Sequence, residues 1–180
     1  MTTIAGLAAV CAALAAWIYL GFVLPFRAVA AGREMLAMRI EGYESADVYA
    51  ALDFLRGHPD AANIQHALSF GPALALAVAS AALLFLVLKW VKPGGIFFGR
   101  PIPPAGVMVM FCLPILYGLA GCGEIVLGML IFPPAIPSER TITLAADVMP
   151  VLAKLKFLTL AVTAILLLRF VLLSRRPEQD

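Results

Sequence analysis

The stretch that decides the fold is PAGVMVMFCLPILYGLAGCGEIVLGMLIF, residues 104–132, which carries one charged side chain, Glu124. At about 1.5 Å of rise per residue this stretch exceeds the roughly 30 Å hydrocarbon core of a bilayer, so it predicts a membrane-spanning helix. Proline-rich segments border it on both sides, at 101–104 and 133–137. Because proline interrupts continuous helix, these segments mark the limits of the span. A carboxylate at this depth costs about 3 kcal/mol unless it is paired, neutralised or hydrated, so Glu124 requires an explanation.

The composition of the whole chain agrees with a membrane protein. Of 180 residues, 63% are hydrophobic and 13% are charged, whereas about a quarter of a soluble domain is charged. The net charge of +2 comes without a basic cluster, which excludes a nucleic-acid partner. All three cysteines fall inside apolar runs and are predicted to act as small hydrophobic residues: Cys11, Cys112 and Cys122.

Three further apolar runs are long enough to span a bilayer, at residues 4–26, 67–88 and 148–173. The second of them ends at Lys89-Trp90, a pair that suits the headgroup layer, and Pro93-Gly94-Gly95 then predicts a turn. The last run tolerates Pro150, since proline fits the first turn of a helix.

The predicted fold class is therefore all-α. We expect a single integral membrane domain over residues 1–180, arranged as a membrane-embedded antiparallel four-helix bundle. An alternative for the first run is a cleaved signal peptide, because Ala28-Val29-Ala30 resembles a cleavage site. The length of the run and the lack of a preceding Lys or Arg favour an uncleaved span.

Between the first two spans lies a polar loop, residues 27–65, that is too short to form a domain. Its first part has no helix breaker apart from Gly32, so the sequence predicts that the first span continues as helix as far as Gly42. Ser45 is predicted to cap a short amphipathic helix that ends at Gly57. The apolar stripe of that helix has i, i+4 and i+7 spacing and consists of Val48, Leu52 and Leu55.

The surroundings of the short amphipathic helix are left open by the sequence. The helix can lie along the membrane interface, or it can pack on the ends of the bundle. Tyr43 and Tyr49 are both predicted to lie in the headgroup region.

The positive charges give an orientation. Counts of Lys and Arg on the two sides are equal, but Lys89, Lys92, Arg100, Arg175 and Arg176 lie in much shorter segments close to the spans. The positive-inside rule therefore predicts that both termini are in the cytoplasm, in the inner (plasma) membrane of a bacterial cell. The loop 27–65 is expected on the outer side.

Glu124 is predicted to lie at the depth of two lysines. The turn between the last two spans is centred near residues 138–140, and Lys154 and Lys156 are about as far from it as Glu124. Thr159 and Thr163 share a helix face with Lys156, and we predict that this polar edge faces Glu124. Glycines near Glu124 predict a seam where a neighbouring helix approaches closely, with Gly118, Gly121 and Gly128 as its members.

Three interpretations of Glu124 follow from these patterns. In the first, both lysines extend to the interface while Glu124 is protonated or bonded to backbone. In the second, Glu124 and a lysine form an ion pair that locks two helices together. In the third, Glu124 takes part in proton relay, transport or catalysis.

Other candidate sites carry weaker signals. His58, Asp60 and His66 lack the spacing of metal ligands, so no metal site is predicted. A second stripe of small residues predicts a packing seam on the second span and consists of Ser69, Ala73, Ala77 and Ser80. Motifs for nucleophilic, phosphate-binding, zinc or haem chemistry are absent from the sequence, so neither a catalytic residue nor a cofactor is predicted.

The order of several motifs resembles an uncharacterised family of bacterial four-span integral membrane proteins. The resemblance covers about three quarters of the chain and rests on Gly42-Tyr43-Glu44-Ser45-Ala46-Asp47-Val48, Leu52-Asp53-Phe54-Leu55, Leu113-Pro114-Ile115-Leu116, Glu124 and Lys156. Acidic and amide side chains that such relatives carry near Glu124 are replaced here by Gly121 and Ile125, and a second-span Asp is replaced by Leu68. The resemblance implies a role for Lys156 rather than Lys154, and it implies no activity.

The functional expectation is a small polytopic membrane protein, a non-enzymatic accessory or structural subunit of a membrane complex. Its expected partners are the lipid bilayer and either further copies of the chain or a larger complex. Two active alternatives remain open: a proton-coupled carrier component, or an intramembrane enzyme that processes lipid or quinone through Glu124.

Overall fold

A computed structural model describes residues 2–39, 41–91, 96–97 and 100–174, and it gives the backbone alone for 96–97, 100–101 and 171–174. This part of the chain is helical apart from turns, connecting segments and one two-residue antiparallel pairing of Ile96–Phe97 with Arg100–Pro101. Five helices follow in order: α1 Thr2–Val29, α2 Ser45–Gly57, α3 Pro59–Val91, α4 Pro104–Ile131 and α5 Glu139–Ser174. The predicted turn at Pro93-Gly94-Gly95 and the cations Lys92, Arg175 and Arg176 lie outside the described residues.

Four of these helices, α1, α3, α4 and α5, are long and apolar enough to cross a membrane. Two of them begin well before the apolar run that predicts them, and the sequence explains where. At the start of α3, Pro59 supplies a preset φ angle and lacks the N–H that a first turn leaves unpaired. At the start of α5, the Ser138 hydroxyl accepts a hydrogen bond from the Thr141 N–H at 3.3 Å, as an N-terminal capping residue does.

Each of the four long helices packs against the next long helix in the chain. The most extensive contact joins α4 and α5, followed by α3 with α4 and α1 with α3, and α3 also touches α5. Large apolar side chains cover the outward faces of these helices, for example Met108, Leu119 and Leu158. Exposed apolar surface of this kind marks contact with a membrane or with another protein.

Part of the predicted glycine seam lies where α3 and α4 cross. A Cβ atom added to Gly118 would lie 2.8 Å from the Ala81 Cβ, and one added to Gly121 would lie 3.5 Å from the Ala77 Cβ. Gly128 instead faces Phe132 and α5, where an added Cβ would be 3.8 Å from the Met149 Cε. Gly118 is thus the position at which the two helix backbones require the smallest residue.

Replacement of Gly118 by alanine is expected to destabilise the protein by about 1–3 kcal/mol, because two Cβ atoms cannot approach to 2.8 Å and the helices must separate. The thermal unfolding midpoint in detergent measures this change. Gly6→Ala is the matched control, since a Cβ at Gly6 would have nothing within 4 Å. Equal midpoints for the two variants would show that α3 and α4 do not depend on close approach at Gly118.

The predicted continuation of the first helix to Gly42 is wrong, because α1 ends at Val29. The backbone turns left-handed there: Ala31 has a φ of 51° and Gly32 a φ of 84°. The Gly32 N–H then bonds the Arg27 carbonyl at 2.8 Å, which satisfies a helix-terminal acceptor. Where the structure describes the loop between Gly32 and Gly42, its helical structure is one 3₁₀ turn, Leu36–Met38.

The amphipathic helix α2 is present, and its predicted stripe of Val48, Leu52 and Leu55 is buried. These side chains share one core with Phe26 and Ile131, so α2 packs on the ends of the long helices. Of the two surroundings that the sequence leaves open, the structure therefore has the second.

The capping residue of α2 is Glu44 rather than the predicted Ser45. Glu44 and Asp47 form a reciprocal capping box, in which the Asp47 Oδ2 accepts from the Glu44 N–H at 2.9 Å. Arg39 also donates to Asp47, at 2.8 Å. The backbone hydrogen bond from Glu44, and then the Arg39 guanidinium, hold the pKa of Asp47 below its ordinary value. Together these bonds fix the loop just beside Tyr43.

Candidate functional site

The candidate site is centred on Glu124, whose side chain projects from α4 into the protein and is 4% exposed. Lys156 on α5 donates its ammonium to the Oε2 atom of Glu124 at 2.6 Å. Tyr43 in the loop donates its hydroxyl to the other carboxylate oxygen, Oε1, at 2.8 Å. Glu124, Lys156 and Tyr43 are named the polar cluster below. Oε2 thus accepts from a charged donor and Oε1 from a neutral one. Both oxygens are hydrogen-bonded, as a buried carboxylate requires.

Tyr43 is the member of the cluster that the sequence did not identify. The sequence predicts that Tyr43 lies in the headgroup region, whereas its side chain is buried and Tyr43 is 3% exposed. Its hydroxyl also lies 3.4 Å from the Met149 carbonyl oxygen, so it contacts both α4 and α5. Burial, and then the neighbouring charge of Glu124, raise the pKa of the Tyr43 phenol far above its ordinary value. The phenol therefore stays protonated and acts as a donor.

Local backbone geometry explains how a loop residue reaches this depth. Gly42 has a φ of 82°, a conformation that L side chains rarely adopt, and it turns the chain just before Tyr43. The capping box of Glu44 and Asp47 follows directly and starts α2. Tyr43 is thus held between a glycine turn and a helix N-terminus, which restrict the backbone on both sides.

Lys156 reaches Glu124 across a space that a glycine leaves open. A Cβ atom added to Gly121 would lie 3.7 Å from the Lys156 Cδ, so the aliphatic part of the lysine passes over that position. The ammonium also lies 4.9 Å from the centre of the Phe157 ring, close enough for a cation–π contact. The lysine side chain is 15% exposed, more than its acidic partner.

Lys154 does not join the cluster. It is exposed, and two residues along a helix turn the side-chain direction by about 200°, so Lys154 and Lys156 project to opposite sides of α5. The Lys154 side chain lies beside the loop at Gly42, since a Cβ added to Gly42 would lie 3.8 Å from its Cγ. Of the two candidate lysines, only Lys156 contacts Glu124 in the part of the chain that the structure describes.

Thr159 and Thr163 are buried. Their hydroxyls bond their own helix instead of the carboxylate. Thr159 donates to the Leu155 carbonyl oxygen at 2.8 Å, and Thr163 donates to the Thr159 carbonyl oxygen at 2.6 Å. A hydroxyl can satisfy itself in this way inside an apolar helix without any partner on another helix.

The cavities among the described residues include three with volumes of about 80, 630 and 510 Å³. The first lies beneath the loop, the second opens at the loop surface near Arg27 and Arg39, and the third is a groove between α3 and α4. Glu124, Lys156 and Tyr43 line none of these three cavities. The Glu124 side chain is 4% exposed, so protein atoms surround most of the carboxylate.

Metal-binding geometry is not found in the described residues, where no three His, Cys, Asp or Glu side chains come together. His58 has a different local contact: its Nδ1 lies 2.9 Å from the Phe54 carbonyl oxygen, and its ring stacks on Phe54 with centroids 4.2 Å apart. Both contacts tie His58 to the end of α2.

Comparison with known proteins adds no further constraint, because no protein-family model, curated protein or solved structure matches the chain. The described part of the chain is helical, and four of its helices are long and apolar enough to cross a membrane. The polar cluster joins α4 and α5 to the loop between α1 and α2.

Proposed function

We propose that the protein is an integral membrane protein, a membrane-embedded antiparallel four-helix bundle in which the polar cluster fastens the loop 27–65 to the helices. In this proposal it acts as a non-enzymatic accessory or structural subunit of a membrane complex. The likeness to bacterial four-span membrane proteins, seen in the sequence motifs, supports the same class. The function of the cluster is then mechanical: it fixes which surface the loop presents.

The observation that carries this proposal is that both carboxylate oxygens of Glu124 accept hydrogen bonds from protein donors, while the side chain is buried. A group that transfers protons needs water or substrate within hydrogen-bond reach. Each Glu124 oxygen accepts a hydrogen bond from a protein donor, one from a phenol whose raised pKa keeps it protonated and one from a lysine ammonium. Such an arrangement favours a fixed contact over repeated proton exchange.

Reconstitution into liposomes tests this proposal against the carrier alternative. Purified protein is placed in vesicles with a pH gradient and an internal pH-sensitive dye, beside empty vesicles and vesicles that contain Glu124→Gln. We expect all three samples to dissipate the gradient at the same rate. A flux that depends on Glu124 would overturn the structural role and would support a proton-coupled carrier.

Orientation and assembly are part of the same proposal. We place both termini in the cytoplasm, the loop outside, and the chain in a bacterial inner membrane. A reporter enzyme that is active only in the periplasm, fused to the C-terminus, is expected to stay inactive, and activity there would reverse the orientation. In mild detergent the protein should migrate on a native gel with a mass well above that of one chain in its micelle.

A further inference from the structure

A groove runs along the outer surface where α3 and α4 meet. It has a volume of about 510 Å³ and is lined by apolar residues of both helices, among them Ala82, Leu86, Pro114 and Leu119. Its floor is the close contact of Gly118 with Ala81. Because the two helices touch at the floor, the groove is a shallow channel along the helices rather than an opening into the protein.

The register of α3 places a polar pair beyond one end of the groove. Ala82 and Leu86 line the groove at i and i+4 of α3, and Trp90 is the next residue in that i+4 series. Lys89, three residues after Leu86, lies on the same face. Both Lys89 and Trp90 are exposed, and Lys89 has no ion-pair partner among the described residues. An apolar channel with an exposed ammonium and an indole beyond its end matches the two parts of a lipid, its chain and its headgroup.

We propose that this groove binds one acyl chain of an anionic phospholipid whose headgroup phosphate pairs with Lys89. The inference rests on the proposed membrane embedding, and it adds a specific lipid site to it. An acyl chain fills a shallow channel between touching helices, and the lysine ammonium supplies the charge that an anionic headgroup needs. Trp90 lies at the same level, where indole rings commonly contact the headgroup region.

A helix from a second copy of the chain fits this groove less well. A helix with its side chains is about 10–12 Å wide, so it would rest on the rims of a channel whose floor is a direct helix contact. A symmetric dimer through this face would also place the two copies of Lys89 at the same membrane depth and close to each other. The repulsion between two ammonium groups argues for a lipid as the occupant.

Quenching of Trp90 fluorescence by brominated phospholipids tests the proposal. Trp17 is replaced by phenylalanine so that Trp90 is the single reporter, since the chain has two tryptophans. The protein is reconstituted with increasing mole fractions of brominated phosphatidylglycerol or brominated phosphatidylcholine. We expect half-maximal quenching at an about fivefold lower mole fraction of the anionic lipid.

Variants separate the charge from the groove. Lys89→Gln should abolish the preference for the anionic lipid, whereas Lys89→Arg should keep it. Ala82→Phe fills the groove and should reduce quenching by both lipids, and Ala9→Phe, at an exposed alanine of α1 outside the groove, should leave it unchanged. Circular dichroism confirms that each variant is folded.

Failure of the lipid site and failure of membrane embedding give different results. Equal quenching by the two lipids, with or without Lys89, would overturn the lipid site while the protein still floats with the liposomes. No quenching by either lipid, together with protein that does not float, would overturn the membrane embedding itself.

Discussion

Replacement of Lys156 by methionine is expected to destabilise the protein by about 3–5 kcal/mol, because it breaks a buried ion pair. Methionine keeps most of the aliphatic length that passes over Gly121 but removes the ammonium 2.6 Å from Glu124. The carboxylate is 4% exposed, so it loses its charged partner without gaining water. The free energy of unfolding, measured in mixed micelles with a denaturing detergent, reports the change.

Glu124→Gln should cost less than Lys156→Met. The amide oxygen can still accept the Tyr43 hydrogen bond, and the lysine, being more exposed than its partner, can extend toward the headgroup layer. The double variant Glu124→Gln/Lys156→Met should then be more stable than the sum of the two single changes predicts, with a coupling of about 1–3 kcal/mol. Additive effects would mean that the two groups do not stabilise one another.

Lys154→Gln is the matched control for Lys156. It removes the same charge from the same helix two residues away, at an exposed position that has no carboxylate partner among the described residues. We expect a change within about 0.5 kcal/mol, as for most surface substitutions. If Lys154→Gln were as destabilising as Lys156→Met, the total charge of α5 would matter rather than the ion pair.

Much of this architecture could be predicted from hydropathy and from breaker residues. The four long helices follow from uninterrupted apolar runs, and α4 begins where the proline segment 101–104 ends. Lys154 and Lys156 could both be matched to the depth of Glu124, because antiparallel helices joined by a short turn place residues equidistant from that turn at similar depth. The face that Lys156 shares with Thr159 and Thr163 then favours Lys156. The i, i+4, i+7 stripe of α2 likewise predicts a buried face, and the structure has it.

The loop was harder to predict because its course depends on tertiary contacts. Helix propensity favours a continuous helix from Arg27 to Glu41, yet the chain turns at Ala31 and Gly32 so that Leu36 and α2 can pack on the ends of the long helices. An aromatic residue with a polar tip suits both a headgroup layer and a buried hydrogen bond. The choice between these two surroundings for Tyr43 depends on where Glu124 lies in three dimensions, which the sequence pattern does not give.

Tyr43 gives the second large effect. Tyr43→Phe removes the donor to Glu124 Oε1 but keeps the ring, and we expect a loss of about 1.5–3 kcal/mol, the usual range for a hydrogen bond to a charged group. Tyr43→Ala also removes the buried ring and should cost about 3–5 kcal/mol. Tyr49→Phe is the matched control, because Tyr49 is 41% exposed on α2 and has no hydrogen bond from its hydroxyl in the described part of the chain.

Limited trypsin digestion shows whether the loss of stability is local to the loop. Trypsin cleaves after arginine, and Arg33 and Arg39 lie in the segment that Tyr43 attaches to the helices. A detached loop therefore exposes these two cleavage sites to the protease. We expect cleavage there to be about tenfold faster in Tyr43→Phe than in Tyr49→Phe, which corresponds to about 1.4 kcal/mol of easier opening. Equal cleavage rates in the two variants would mean that α2 and its apolar stripe hold the loop without the phenol. The polar cluster would then join only α4 to α5, and the proposal that it fixes the surface of the loop would fail.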